Sequence, residues 1–352
     1  MITALLCCLV LPGAVVHVNP TAPSDGSGAA DKPLRSVERA MAVAQPGDTI
    51  KLAAGNHALT GTLVIPVAQL TVEGGFDVAF KERQPFTTPS WVMPATGVDR
   101  VVLEVPQSAA GLTLDGVSID GGNTLSYSRT GLTEGSLSRT APLIRILRGM
   151  DITLRNCTLI NAPSHAISIS VATFVTIQNN VLLGSRVSAI TAWGSRHDAR
   201  VTIQDNTILA TWAERLDGTR GDGVDLQSFV TAIVARNLIS SAQGVCIRAG
   251  RGLTTPVLTA NVMGNCRGGT LLAYPNAGPP VSSALQSLEA STLVDARGNR
   301  GLAVEPALAE VISDVTAAKR DGGPTPYATR IPAGTKVAGL LKDAGAQPFL
   351  AP

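Results

Sequence analysis

The sequence predicts an all-β solenoid, a parallel β-helix of short stacked strands with a short capping helix near its N-terminus. Three observations carry this expectation. A strand-like segment recurs from Ile152 onward with a period of about two dozen residues, as in repeats whose units bury their apolar faces only against each other. Hydrophobic residues make up 45% of the 352-residue chain but aromatic ones only 3%, so Val, Ile, Leu and Ala must fill narrow, regular layers. An amphipathic stretch precedes the first coils, as an open solenoid end requires.

Residues 1–16 read as an export leader. Ala4 to Val16 form one apolar run, as long as the apolar part of a signal peptide and too short to span a membrane. No Lys or Arg precedes it, and a buried first strand is the alternative. No other run approaches spanning length, so a secreted protein (extracellular, cell-surface or periplasmic) without a transmembrane span is expected. Cys7 and Cys8 fall in the leader. Cys157, Cys246 and Cys266 remain without metal-type spacing, and a Cys246–Cys266 disulfide would suit an oxidising compartment. Lys and Arg number 28 against 26 Asp and Glu, which leaves no basic field for nucleic acid.

Residues 17–345 read as a single β-helix domain, with 285–352 as an irregular C-terminal cap and tail. Leu34, Val37, Met41 and Ala44 fall at helical spacing, and Pro46-Gly47 ends that segment. Five later segments align: ITLRNCTLI from Ile152, VTIQNNVLL from Val175, VTIQDNTIL from Val201, AIVARNLIS from Ala232 and VLTANVMG from Val257, with a looser copy from Leu112. They fix one column, Cys157, Asn180, Asn206, Asn237 and Asn261, at steps of 23, 26, 31 and 24 residues. Asn side chains stacked at a turn can satisfy amides that would otherwise be buried unpaired.

A second strand follows each column residue, aligned as 166–170, 189–193, 223–227, 244–248 and 269–273. Alternation sends Ile167, Ile190, Val224, Val245 and Thr270 inward, followed by Ile169, Ala192, Leu226, Ile247 and Leu272. Just before these strands sit His165, Ser188, Asp222, Gln243 and Gly268. Trp193, Asp222, Asp225, Gln227 and Arg248 then share one outer face across three adjacent coils.

The N-terminal order of Asp25-Gly26, Pro33, an amphipathic helix, Pro46-Gly47-Asp48-Thr49-Ile50 and Ala54-Gly55 resembles the opening of secreted right-handed β-helix proteins of the pectate-lyase-like superfamily. Val72-Glu73-Gly74-Gly75-Phe76-Asp77, with Phe80 and Arg83, is similar to the Gly-Gly-Phe/Tyr turn of bacterial surface β-helix proteins. Ala333 to Gly339 with Asp343-Ala344-Gly345 loosely resembles their closing segment, without its Ser-Pro. The resemblance implies a right-handed parallel β-helix, export, and an extracellular polysaccharide, uronate-rich in many relatives, as partner. Fold alone does not confer such an activity.

Asp222-Gly223-Val224-Asp225 resembles the Asn-x-Asp-Gly-Ile-Asp strand of polygalacturonase-type hydrolases, but Arg220 replaces the Asn. Ala242-Gln243 stands where the paired Asp is expected, and neither Gly-His-Gly nor Arg-Ile-Lys follows. An inverting hydrolase needs that second carboxylate, so hydrolysis is rejected. A lyase or epimerase needs a cation at the uronate carboxylate and a base beside the carbon. Asp222 and Asp225 could hold Ca²⁺ through oxygen. Arg248 could pair a carboxylate, and His165 or Arg220 could be the base. Trp193, Gln227 and the 211–221 insertion, with Trp212, Arg215 and Arg220, are candidate substrate contacts. A non-catalytic surface or envelope β-helix predicts a bland Ser/Thr/Ala face, which Ser168, Ser170, Thr191 and Ala273 fit.

Overall fold

The computed structural model describes residues 13–94, 101–121, 141–195, 199–211 and 220–301. Each central coil places one strand in each of three sheets, as in Met150–Arg155, Thr158–Ile160 and His165–Ser170. The first sheet has ten strands, from Val15–Val18 to Asp295–Arg297. The second has nine, from Gly55–Ala58 to Arg300–Gly301, and the third nine, from Leu63–Val64 to Val281–Ser283. Pairing is parallel up to the last pair of the third sheet, where Leu271–Ala273 meets Val281–Ser283 antiparallel. Stacked Ile, Leu, Val and Ala from all three sheets form one continuous core. No helix among the described residues is long and apolar enough to cross a membrane.

The Asn column lies in the short turn between the first and second sheets. Asn206 Oδ1 accepts from Asn180 N–H at 2.9 Å, while its Nδ2 donates to Ile177 O in the preceding coil at 2.9 Å and to Asn237 Oδ1 at 3.0 Å. Asn180, Asn237 and Asn261 repeat this arrangement, and Asn299, outside the expected column, extends it by one coil. The residue before each position (Asn156, Asn179, Asp205, Arg236, Ala260) has φ between 52° and 58°. That left-handed conformation costs about 1–2 kcal/mol for a side-chain-bearing residue, so the ladder holds the turn against local strain. At the head of the column Cys157 sends its thiol toward Leu114 O, and burial pushes that thiol up to about 12. It is a packing residue.

At the N-terminal end the helix is Val37–Val43, ending before Pro46 as the spacing predicts, with the Ser36 side chain accepting from Arg39 N–H and Val37, Ala40 and Met41 buried. Strand Val15–Val18 pairs Val15 with Thr49 and Val18 with Leu52. The leader boundary expected after Val16 therefore falls inside a strand, and Val15 and Val16 belong to the solenoid. In the Gly-Gly-Phe turn, Gly75 has φ 90° and a Cβ there would lie 2.4 Å from Pro85 Cα, so only glycine fits. Arg83 bonds Gly74 O and pairs with buried Asp115. Coil-forming strands persist past residue 285 into Asp295–Arg297 and Arg300–Gly301, later than the expected start of an irregular cap. The closing segment at 333–345 lies outside the described residues.

Candidate functional site

The third sheet's outer face carries most of the polar side chains singled out by sequence. Its central outward column runs Glu104, Arg145, Ser168, Thr191, Asp225, Arg248 and Leu272, one residue per coil. His165, Ser188 and Asp222 line one flank, where His165 pairs with Ser188 and Ser188 with Asp222. Leu147, Ser170 and Trp193 lie on the other.

Two register corrections shape this face. Asp225 lies beside Arg248 and Val224 beside Ile247, two residues later than aligning Gly223 with Gly244 predicts. The extra residues wrap over the Asp222 carboxylate. Val245 N–H donates to Asp222 Oδ1 at 2.9 Å, and a Cβ on Gly244 would sit 2.2 Å from that oxygen. In the next coil Leu271 faces Ile247, a one-residue slip that turns Thr270 and Leu272 outward. The inward columns are therefore Ile167, Ile190, Val224, Ile247, Leu271 and Ile169, Ala192, Leu226, Ala249, Ala273. Cys246, expected on the outer face, is buried and bonded to Cys266.

Asp222 is buried rather than presented on the face. Its Oδ2 accepts from Arg248 Nε at 2.5 Å and its Oδ1 from Arg248 Nη2 at 3.1 Å, so the carboxylate grips the guanidinium at two points. Burial opposes the Arg248 charge, but the bonds and charge of Asp222 outweigh it and hold Arg248 more firmly protonated. Arg248 Nη1 donates to the Tyr274 hydroxyl at 3.0 Å. Tyr274 was not among the expected site residues. The mistaken register of the last strand hid it, although a tyrosine closing a strand in so aromatic-poor a chain was a usable signal.

Asp225 differs from Asp222. Its Oδ2 accepts from Gln227 Nε2 at 3.0 Å, and the same amide bonds Thr191 Oγ1 at 3.1 Å. Its Oδ1 is shielded from water and accepts no hydrogen bond. Burial pushes the Asp225 carboxyl up; the Gln227 bond pulls the other way, and the Asp222 charge adds to burial. His165 Nδ1 meets Ser188 Oγ at 2.6 Å. Burial, then the Arg220 charge, press His165 down to about 4 against a hydrogen bond to the Ser188 backbone, so it is neutral at physiological pH. It stands three coils from Arg248, too far for both to meet one sugar at about 4.8 Å per coil. Trp193 points outward and is 43% exposed. Arg220 is exposed; Trp212 and Arg215 lie outside the described residues.

Asp222 and Asp225 do not fit Ca²⁺ as a pair. Both Asp222 oxygens face the Arg248 guanidinium, a cation already in place, and no third acidic, His or Cys side chain clusters with them among the described residues.

Residues 142–283 match the family model described as right-handed beta helix region. No curated protein matches the chain. Among solved structures, the chain is similar to Jun a 1, the major allergen from cedar pollen, at 13% identity and TM-score 0.52, covering 95% of this chain and 89% of that one. Pectate lyase Pel9A matches at 10% identity and TM-score 0.48, covering 83% and 78%. A rhamnogalacturonan lyase matches at 12% identity and TM-score 0.48, covering 76% and 79%. The matched residues thus have the fold of a right-handed parallel β-helix, and the likeness to Jun a 1 carries that fold along most of the chain.

Proposed function

We propose that the protein binds an extracellular, uronate-type polysaccharide on the outer face of the third sheet and cleaves it by β-elimination. The observation that carries this is the group of Asp225, Arg248 and Tyr274 from three successive coils, in which Asp225 and Arg248 are register neighbours, the Tyr274 hydroxyl accepts from Arg248, and Arg248 is aimed by a buried carboxylate. Holding a charge pair out of water is costly, and such arrangements concentrate at functional sites. In this scheme Arg248 faces the sugar carboxylate and stabilises negative charge building beside it. Asp225, more basic than an ordinary carboxylate, removes the proton on the adjacent carbon. The electron pair released forms a carbon–carbon double bond, the bond from the next carbon to the glycosidic oxygen breaks, and that oxygen takes the Tyr274 hydroxyl proton. Asp222 positions Arg248, Gln227 orients Asp225, and Trp193 stacks on a sugar ring.

The test is incubation with polygalacturonate and alginate, following ultraviolet absorbance of the unsaturated product. Asp225→Asn should abolish that signal while retaining binding, and Trp193→Ala should weaken binding by about 1–3 kcal/mol. A second reading, binding without cleavage, is favoured by one observation: Asp222 already matches the Arg248 charge. Polymer binding unaffected by Asp225→Asn, with no unsaturated product from any uronic polymer, selects it.

A further inference from the structure

Along one side of this face, where the chain turns from the third sheet to the first, runs a ridge of rings and cations. Leu147 and Met150 begin it, 40% and 50% exposed, and the next coils add Phe174 at 50%, Trp193, and Phe229 at 38%. The chain has only three Trp, three Tyr and six Phe, so three exposed rings on three successive coils are a concentration. Two of them occupy demanding backbone: Phe174 and Phe229 have φ 57° and 61°. Asn or Gly would fill those turn positions with less strain, and neither Phe is needed by the core.

The cations follow the same line. Arg148 and Arg251 are exposed in these turns and Arg200 is exposed at the start of the first-sheet strand Ala199–Gln204, its guanidinium 5.2 Å over the Phe174 ring. Asp151 is the one acidic residue among the described residues of the ridge. Flat apolar faces on coils stacked at about the strand spacing of 4.8 Å, interspersed with exposed arginines, complement a linear polymer with apolar ring faces and regular negative charge. The stripe is one residue wide and broken by charge, unlike the contiguous patch of a protein interface.

We infer that this ridge holds an acidic polysaccharide laid parallel to the solenoid axis, with Phe174 and Phe229 stacking on its sugars and Arg148, Arg200 and Arg251 pairing its carboxylates. The inference deepens the proposed function, on which it rests for the substrate class, and adds the direction and length of the bound chain. The experiment is calorimetric titration of the full chain with polygalacturonate oligomers of increasing length, with dextran as neutral control. Affinity should rise with length until the oligomer spans the ridge, fall as salt screens the arginines, and be negligible for dextran. Phe174→Ala and Phe229→Ala should each weaken binding of long oligomers about fivefold or more, leave short ones unaffected, and leave the melting temperature unchanged. Arg200→Gln should flatten the salt dependence. Long oligomers that bind these variants as tightly as the unaltered chain, with Arg248→Ala still weakening them, would overturn the ridge and leave the proposed function standing. Ridge variants that weaken binding while Asp225→Asn and Arg248→Ala change neither binding nor product would support the ridge and sink the catalytic group. Preference for dextran, or no binding of any acidic oligomer, would overturn both.

Discussion

The turn between the first and second sheets and the outer face of the third are built by the same coils but obey different rules. In the turn, one residue type recurs, each Asn accepts from a neighbouring N–H and donates to a carbonyl one coil back, and the bonds differ little from 2.9–3.0 Å. On the face, the corresponding column changes from His165 to Ser188 to Asp222, a buried carboxylate is spent on one arginine, and Asp225 keeps an oxygen that nothing bonds. A requirement shared by every coil selects one residue type. Variation from coil to coil, with a buried charge and an unbonded oxygen at its centre, points to a demand from outside the fold.

The strongest way to break this contrast is Asn206→Leu. It leaves Asn180 N–H, Ile177 O, Gln204 O and Asn237 Oδ1 without this partner. At about 1–3 kcal/mol per buried unsatisfied group, urea unfolding should show a loss of about 5 kcal/mol or more. Next comes Arg248→Met, which strands the Asp222 charge and should cost about 3–5 kcal/mol. The double variant Asp222→Asn/Arg248→Met should recover much of that. Full additivity of the two single losses would mean the pair is not coupled.

A smaller effect concerns pH. His165 is held down to about 4 in the fold from its ordinary 6.5, so the unfolded chain binds the proton more tightly between those values. Its contribution to stability is complete above 6.5 and is lost as pH falls toward about 4. His57 is also held low, chiefly by burial, and adds in the same direction. His165→Asn should reduce the slope of unfolding free energy against pH in that window; an unchanged slope would place the cause elsewhere. The smallest effect belongs to Asp225. Because its folded carboxyl is held above the ordinary value, its ionisation costs stability as pH rises from the ordinary value through the raised one. Asp225→Asn should therefore be neutral or slightly stabilising at pH 7, within about 1 kcal/mol, unlike any change in the Asn ladder.

The ladder was legible in sequence because the same bonds from coil to coil are repeated along the stack, so its Asn recurs at every turn from Asn180 to Asn261. The aromatic-poor core was legible for the same reason, since alternation assigns faces within a strand. Register between coils was not. The slip at Arg248 arises because Gly244 and Val245 bend around a carboxylate belonging to the previous coil, a tertiary contact without periodicity. Trp193 was read correctly as outward. Asp222 was read as a presented carboxylate, because alternation places a residue on a face but does not reveal that a neighbouring arginine closes over it.

The antiparallel strand Val281–Ser283 gives the third sheet an end of its own. Parallel stacking has no built-in limit, because the last rung offers the same edge as every rung before it. Reversing one strand changes the pattern of donors and acceptors on that edge, so a further coil would meet a different edge from the one every parallel rung offers. The first and second sheets each add one more parallel rung beyond it. Among the described residues, the face proposed to meet the polymer thus ends on its own account, at a single change of chain direction two residues short of the 3₁₀ turn at Leu285–Ser287.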